Sequence, residues 1–291
     1  MLLISGVFFL ITYDFSTAKK DIAVEPSTKK DTQKPLETTE SRNNGGVCLA
    51  DSLPTDNSKT IEKGDQDGWD LVWQDEFDHN CLDTGNWNIE DWASKKNEEL
   101  QYYSPANVKV EDGLLKLISK NEIFKGRDYT SGAVQSQGKF SFLYGKVEMK
   151  AKLPSGQGIF PAFWMMPDQE NTWLPEIDIM EMVGHLPNEV WMVSHWLDEN
   201  GALKTDYNTF IGDDFSKDFH LFSIEWTPES ISWFIDDIER HRTSKFIPNV
   251  PMYLYLNTAV GGIWPGSPDN STIFPVNYEI DYVRVFKRHK E

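Results

Sequence analysis

Residues 174–184 read LPEIDIMEMVG. Glu176 and Asp178 are two apart, so an extended strand carries both on one face. Glu181 is five from Glu176, and a regular strand would turn it to the opposite face. The residues between the carboxylates, Ile177, Ile179 and Met180, are apolar, as are the flanking Leu174, Met182 and Val183. That pattern predicts a central strand with one face in a core and its carboxylates over a cleft. One extra residue, a β-bulge around Ile179–Met180, would return Glu181 to the carboxylate face, and bulges are over-represented beside active sites because they re-aim side chains. Two other readings use the same residues: a solvated acidic strand face, and a metal site of Asp and Glu with His195.

Outward from this segment the chain is strand after strand. The runs GLLKLISK, GKVEMKAKLP, HLFSIEWTP, ISWFID, VPMYLYLNTAV and YEIDYVRVF are apolar or alternating, with Gly, Pro, Asn or Asp between them. Val147, Met149 and Ala151 alternate with Glu148, Lys150 and Lys152, as in a sheet with one buried face. No long stretch keeps a helical period with caps. The expectation is an all-β fold: a β-sandwich of jelly-roll type, with two stacked antiparallel sheets and a concave cleft.

The chain has 291 residues, of which 13% are aromatic, including 11 Trp. That is more than a core needs, and it points to rings on a binding surface. Lys and Arg number 28 against 46 Asp and Glu, a net charge of −18, nearly all of it after Thr60. Such a surface repels phosphate backbones, which argues against nucleic acid, and a neutral substrate fits it better. The two cysteines, Cys48 and Cys81, form neither a disulfide framework nor a zinc cluster. In an oxidising compartment they could pair. The run MLLISGVFFLIT is too short to span a bilayer. With STA ending at Ala18 it reads as a secretory signal peptide over residues 1–18, although no Lys or Arg precedes it. Residues 19–63 are polar and charged and read as a disordered linker. Residues 64–291 read as one domain, expected to be secreted and monomeric, without a stable membrane span.

Paired carboxylates suit glycoside hydrolysis. Retention of configuration uses two carboxyl groups about 5–5.5 Å apart, one as nucleophile and one as acid and then base. Asp178 between them would share hydrogen bonds and raise a neighbouring pKa by like-charge repulsion, helping to keep the acid protonated near neutral pH.

EIDIME matches the E-x-D-x-x-E signature of glycoside hydrolase family 16. LVWQDEFD, NEELQYY, GQGIFPAFWMMP, IEWTPESISWFIDD, LNTAVGGIWPG and IDYVRVF resemble the laminarinase branch of that family in order and spacing. The resemblance implies a jelly-roll sandwich that hydrolyses β-1,3-glucan internally with retention, with mixed β-1,3/1,4-glucan as a further substrate. By position, Glu176 resembles the nucleophile, Glu181 the general acid/base, Asp178 the helper carboxylate and His195 the cleft histidine. Trp164, Trp173, Trp196 and Trp264 are candidate sugar-stacking rings, since the C–H face of a pyranose packs on a flat π-face, and Asn97 resembles a residue that fixes a sugar hydroxyl. Trp226 and Trp233 read as core. No cofactor is implied for catalysis. A structural Ca2+ is implied at Glu76, Gly113 and Asp281, through hard oxygen ligands. Three positions that bear on substrate contacts depart from the family pattern: Pro175 where the family has Gly, Ala133 for a common Arg, and Phe160 for a common Trp. The alternatives are an agarase-type galactan hydrolase and a non-catalytic β-glucan recognition protein.

Overall fold

The structure is a computed structural model that describes residues 68–94 and 96–289, and the backbone of 46–48. Residues 1–18 and most of 19–63, read above as signal peptide and linker, lie outside the described residues. Within the latter stretch Gly46–Cys48 forms a short strand parallel to Cys81–Asp83. Cys81 is disulfide-bonded; the side chain of Cys48 lies outside the described residues.

Besides that two-stranded pair, two large sheets make up the sandwich, and no α-helix occurs among the described residues. The first has seven strands in the order Leu203–Ile211, Glu189–Leu197, Glu176–Glu181, Ile159–Pro167, Met252–Val260, Ala133–Gln135 and Asn88–Ile89. The second is built around Gly145–Lys152, which pairs with His220–Trp226 on one side and Val276–Arg288 on the other. All of these pairings are antiparallel, so the expected sandwich is what forms.

Period-two alternation decides what lies between the sheets. From the second sheet Val147, Met149 and Ala151 point inward and are fully buried. From the first, Phe163, Met165, Ile177, Val190, Met192, Leu254 and Leu256 meet them in one core. Each such side chain contributes about 1.5–3 kcal/mol when removed from water. Trp226 and Trp233, in adjacent strands of the second sheet, are also fully buried, as expected. The opposite face of the first sheet carries a second cluster: Tyr103, Ala133, Met166, Tyr253 and Tyr255, with Trp164 and Trp173 packed against them. The core therefore leaves an aromatic face pointing away from it, and the carboxylates stand on that face.

Candidate active site

The Glu176–Glu181 strand lies between Ile159–Pro167 and Glu189–Leu197 and loses register with both. Against the first, Phe163 faces Met180 and Trp164 faces Asp178, so Ile179 is the extra residue. Against the second, Asp178 faces Val193 and Glu181 faces Trp191. Three steps on one strand match two on the other. This bulge restores the phase of Glu181. Ile177, Ile179 and Met180 join the core, while Glu176 and Asp178 are buried under the aromatic face and Glu181 is half-buried.

Burial is the largest influence on all three carboxyl groups, because it disfavours charge. It pushes Glu181 up to about 8, with help from the charge of Glu176. Glu176 rises only to about 7. Its ionised form is favoured by hydrogen bonds from the Trp173 indole and from Asp178, and by the nearby Lys96 ammonium. Asp178 is held well above the usual range, by burial and then by the charges of Glu176 and Glu181. Its raised pKa favours the protonated form, which can donate toward Glu176. The set is therefore graded: Glu176 ionises before Glu181.

His195 faces Glu176 across the ladder. Its Nδ1 is 2.8 Å from Thr205 Oγ1, and its Nε2 stands 3.7 Å from Asp178 Oδ2. Burial lowers its pKa to about 4, so the imidazole is neutral near pH 7. Glu176, Asp178 and His195 each place a ligand atom within 4.8 Å of the others, which would also suit a cation.

The expected sugar-binding residues divide. Trp164 stands on the aromatic face opposite Asp178, against Tyr255, and its indole donates to Asn257 Oδ1 at 2.8 Å. Trp173 reaches Glu176, with Lys96 Nζ 5.6 Å from its ring. Trp264 is exposed and meets Phe160 and Trp191 edge-on. Asn97 contributes its backbone carbonyl to the Ile263 N–H, holding the loop that carries Trp264, while its side chain donates to Glu99. Trp196 is displaced from expectation. It follows His195 in a strand, so it points to the other face, and it stacks on Phe246 at 5.4 Å. Sequence reasoning missed Trp191, which faces Glu181 and stacks on Tyr207. Its offset of four from His195 was the available signal.

The residues expected to hold calcium are engaged in ion pairs. Glu76 accepts a fork of hydrogen bonds from Arg284 at 2.8 and 2.9 Å, and Asp281 lies 3.1 Å from Lys150 Nζ. Gly113 sits in a turn at φ 74°. A metal at Asp281 would first have to displace the Lys150 ammonium from that carboxylate.

Comparison with known proteins adds an independent line. The model of Glycosyl hydrolases family 16 matches residues 95–284. A second model, Beta-glucan synthesis-associated protein SKN1/KRE6/Sbg1, matches residues 1–171 and stops short of the carboxylate strand. A Beta-glucanase of Rhodothermus marinus is 38% identical over 75% of this chain and 85% of its own length. The Glucan endo-1,3-beta-glucosidase A1 of Niallia circulans is 34% identical over 76% of this chain, which spans 38% of that relative. Among solved structures, the laminarinase catalytic domain from Thermotoga maritima is 38% identical with a TM-score of 0.70, over 76% of this chain and 99% of that one.

Proposed function

The chain belongs to glycosyl hydrolase family 16, and we propose that it is an endo-acting, retaining β-1,3-glucanase of laminarinase type. The observation that carries this reading is the bulge, which brings Glu181 round to the face of Glu176 and Asp178 while leaving its pKa above that of Glu176. Glu176 attacks the anomeric carbon as the glycosidic C–O bond breaks, and Glu181 gives its proton to the leaving oxygen. Water then attacks the glycosyl-enzyme, Glu181 takes a proton from it, and Glu176 is released. Asp178 holds the nucleophile by a hydrogen bond, and neutral His195 flanks the pair. Trp164, Trp173 and Trp264 offer flat rings to the sugar chain, joined by Trp191.

Secretion is part of the proposal. It is supported by the apolar leader MLLISGVFFLIT and by the disulfide at Cys81, since such bonds persist in oxidising compartments. Structural calcium at Glu76, Gly113 and Asp281 is proposed too, to stiffen that surface, and it takes no part in the chemistry. Chelation should then lower the melting temperature, and an unchanged melting curve would remove the ion from the account.

Reducing-sugar release from laminarin, lichenan, agarose and cellulose, measured in parallel, tests the substrate. Cleavage of laminarin with silence on agarose is expected. Cleavage of agarose alone would move the chain to galactan hydrolysis, and silence on all four with retained laminarin binding would make it a recognition protein.

A further inference from the structure

We propose that Trp233, a core residue of the opposite sheet, is a positioning residue that fixes the catalytic bulge through a hydrogen bond across the sandwich. Its indole Nε1 donates to the main-chain oxygen of Asp178 at 2.9 Å. Asp178 is the last residue before both ladders slip, and Ile179, which follows it, is the extra residue. In a regular ladder the carbonyls lie in the plane of the sheet, directed at neighbouring strands. A side chain rising from the facing sheet would not reach one at 2.9 Å. The peptide after Asp178 has therefore turned out of the ladder toward the core, and the indole holds it there. The orientation of that peptide sets where the chain resumes its alternation, and so which face receives Glu181.

The indole is itself held. Trp233 is fully buried, and the His241 ring, its cross-strand partner, stacks on it at 4.9 Å. The Trp233 strand also slips register beside this contact, between Trp233 and Phe234. His241 Nε2 lies 3.6 Å from Asp206, which pairs with Ser194 in the strand next to the carboxylates. The bulge is thus clamped from the far side of the core, by a residue that touches no substrate.

Trp226 supplies a matched control. It is equally buried, it sits in the adjacent strand, and its indole donates to the Pro248 carbonyl at 3.1 Å, away from the carboxylates. Trp233→Phe and Trp226→Phe remove the same atoms and one indole bond each. Activity on laminarin is compared at equal intervals below each melting temperature. Trp233→Phe should lower kcat at least tenfold with KM within about twofold, and should move the alkaline limb of the pH profile, because the spacing of the carboxylates changes. Trp226→Phe should lose stability and keep both its kcat and its profile. If Trp233→Phe does not fold, the benzothiophene analogue of tryptophan at position 233, which keeps the ring shape and lacks the N–H, makes the same comparison. Equal kcat and equal pH profiles in the 233 and 226 variants would overturn the proposal. The inference rests on the glucanase reading, and the two fail differently: an inactive wild-type protein sinks the reading, whereas indistinguishable variants of an active one sink only the role of Trp233.

Discussion

At the scale of single residues, the gradation among three crowded carboxyl groups carries the chemistry. The values of about 7 for Glu176 and about 8 for Glu181 belong to a coupled set. kcat/KM should rise as Glu176 ionises and fall as Glu181 loses its proton, giving a narrow bell between those values. The same shifts act on stability. A carboxyl whose folded pKa exceeds its unfolded value binds protons better in the native state, so stability is fullest below about 4.5 and is lost as pH rises toward 7 and 8. Glu176→Gln should therefore lose turnover by several orders of magnitude and yet melt higher than wild type at pH 8, with the gap closing at pH 4. A variant that melts lower at pH 8 would mean that the charged form of Glu176 is not destabilised. Glu181→Ala tests the division of roles. With added azide it should regain turnover and yield the β-glycosyl azide, whereas an α-azide would exchange the two glutamates. EIDIME was enough to nominate these residues as candidates. Their graded protonation was not legible there, because it depends on Trp173, Lys96 and Asp178 meeting at Glu176.

At the scale of the strand, parity does most of the work. The odd spacing from Glu176 to Glu181 was enough to expect a bulge, and Ile179 occupies it. The same rule, applied to EVWMVSHWL, puts Trp191 with His195 and turns Trp196 away. Adjacency to His195 was a misleading signal for Trp196, since neighbours in a strand face apart. Trp264→Ala should raise KM for laminarin by up to roughly tenfold, in line with about 0.5–1.5 kcal/mol for an aromatic contact. Trp196→Ala should leave KM alone and lower the melting temperature through its lost stack on Phe246. If Trp196→Ala changes KM and Trp264→Ala does not, the assignment of the two faces is wrong. The hydrogen bond from Trp233 to the bulge had no sequence signal. It joins residues 55 positions apart through the core, and nothing local in ISWFID marks that indole as different from the one in IEWTP.

At the scale of the molecule, alternating runs such as GKVEMKAK announced a sandwich, because one buried face per sheet leaves two sheets little choice but to stack. What the runs could not fix was strand order, in which Met252–Val260 lies beside Ile159–Pro167. Nor did composition reveal that Gly46–Cys48, inside a polar stretch, pairs with Cys81–Asp83. Cys81→Ser should cost about 2–4 kcal/mol, and removal of residues 1–42 should cost little, since residues 1–18 read as a cleaved leader and residues 19–42 are mostly polar and charged. Equal losses from both changes would mean that the leader packs on the sandwich. The central claim is that a bulged strand presents two glutamates to one glycosidic bond for double displacement. Proton NMR of laminarin in the first minutes of hydrolysis tests it most directly. The account requires new reducing ends to appear first as the β-anomer and only later to equilibrate. An α-anomer appearing first would mean inversion, a water between the carboxyl groups, and a different geometry for the bulge.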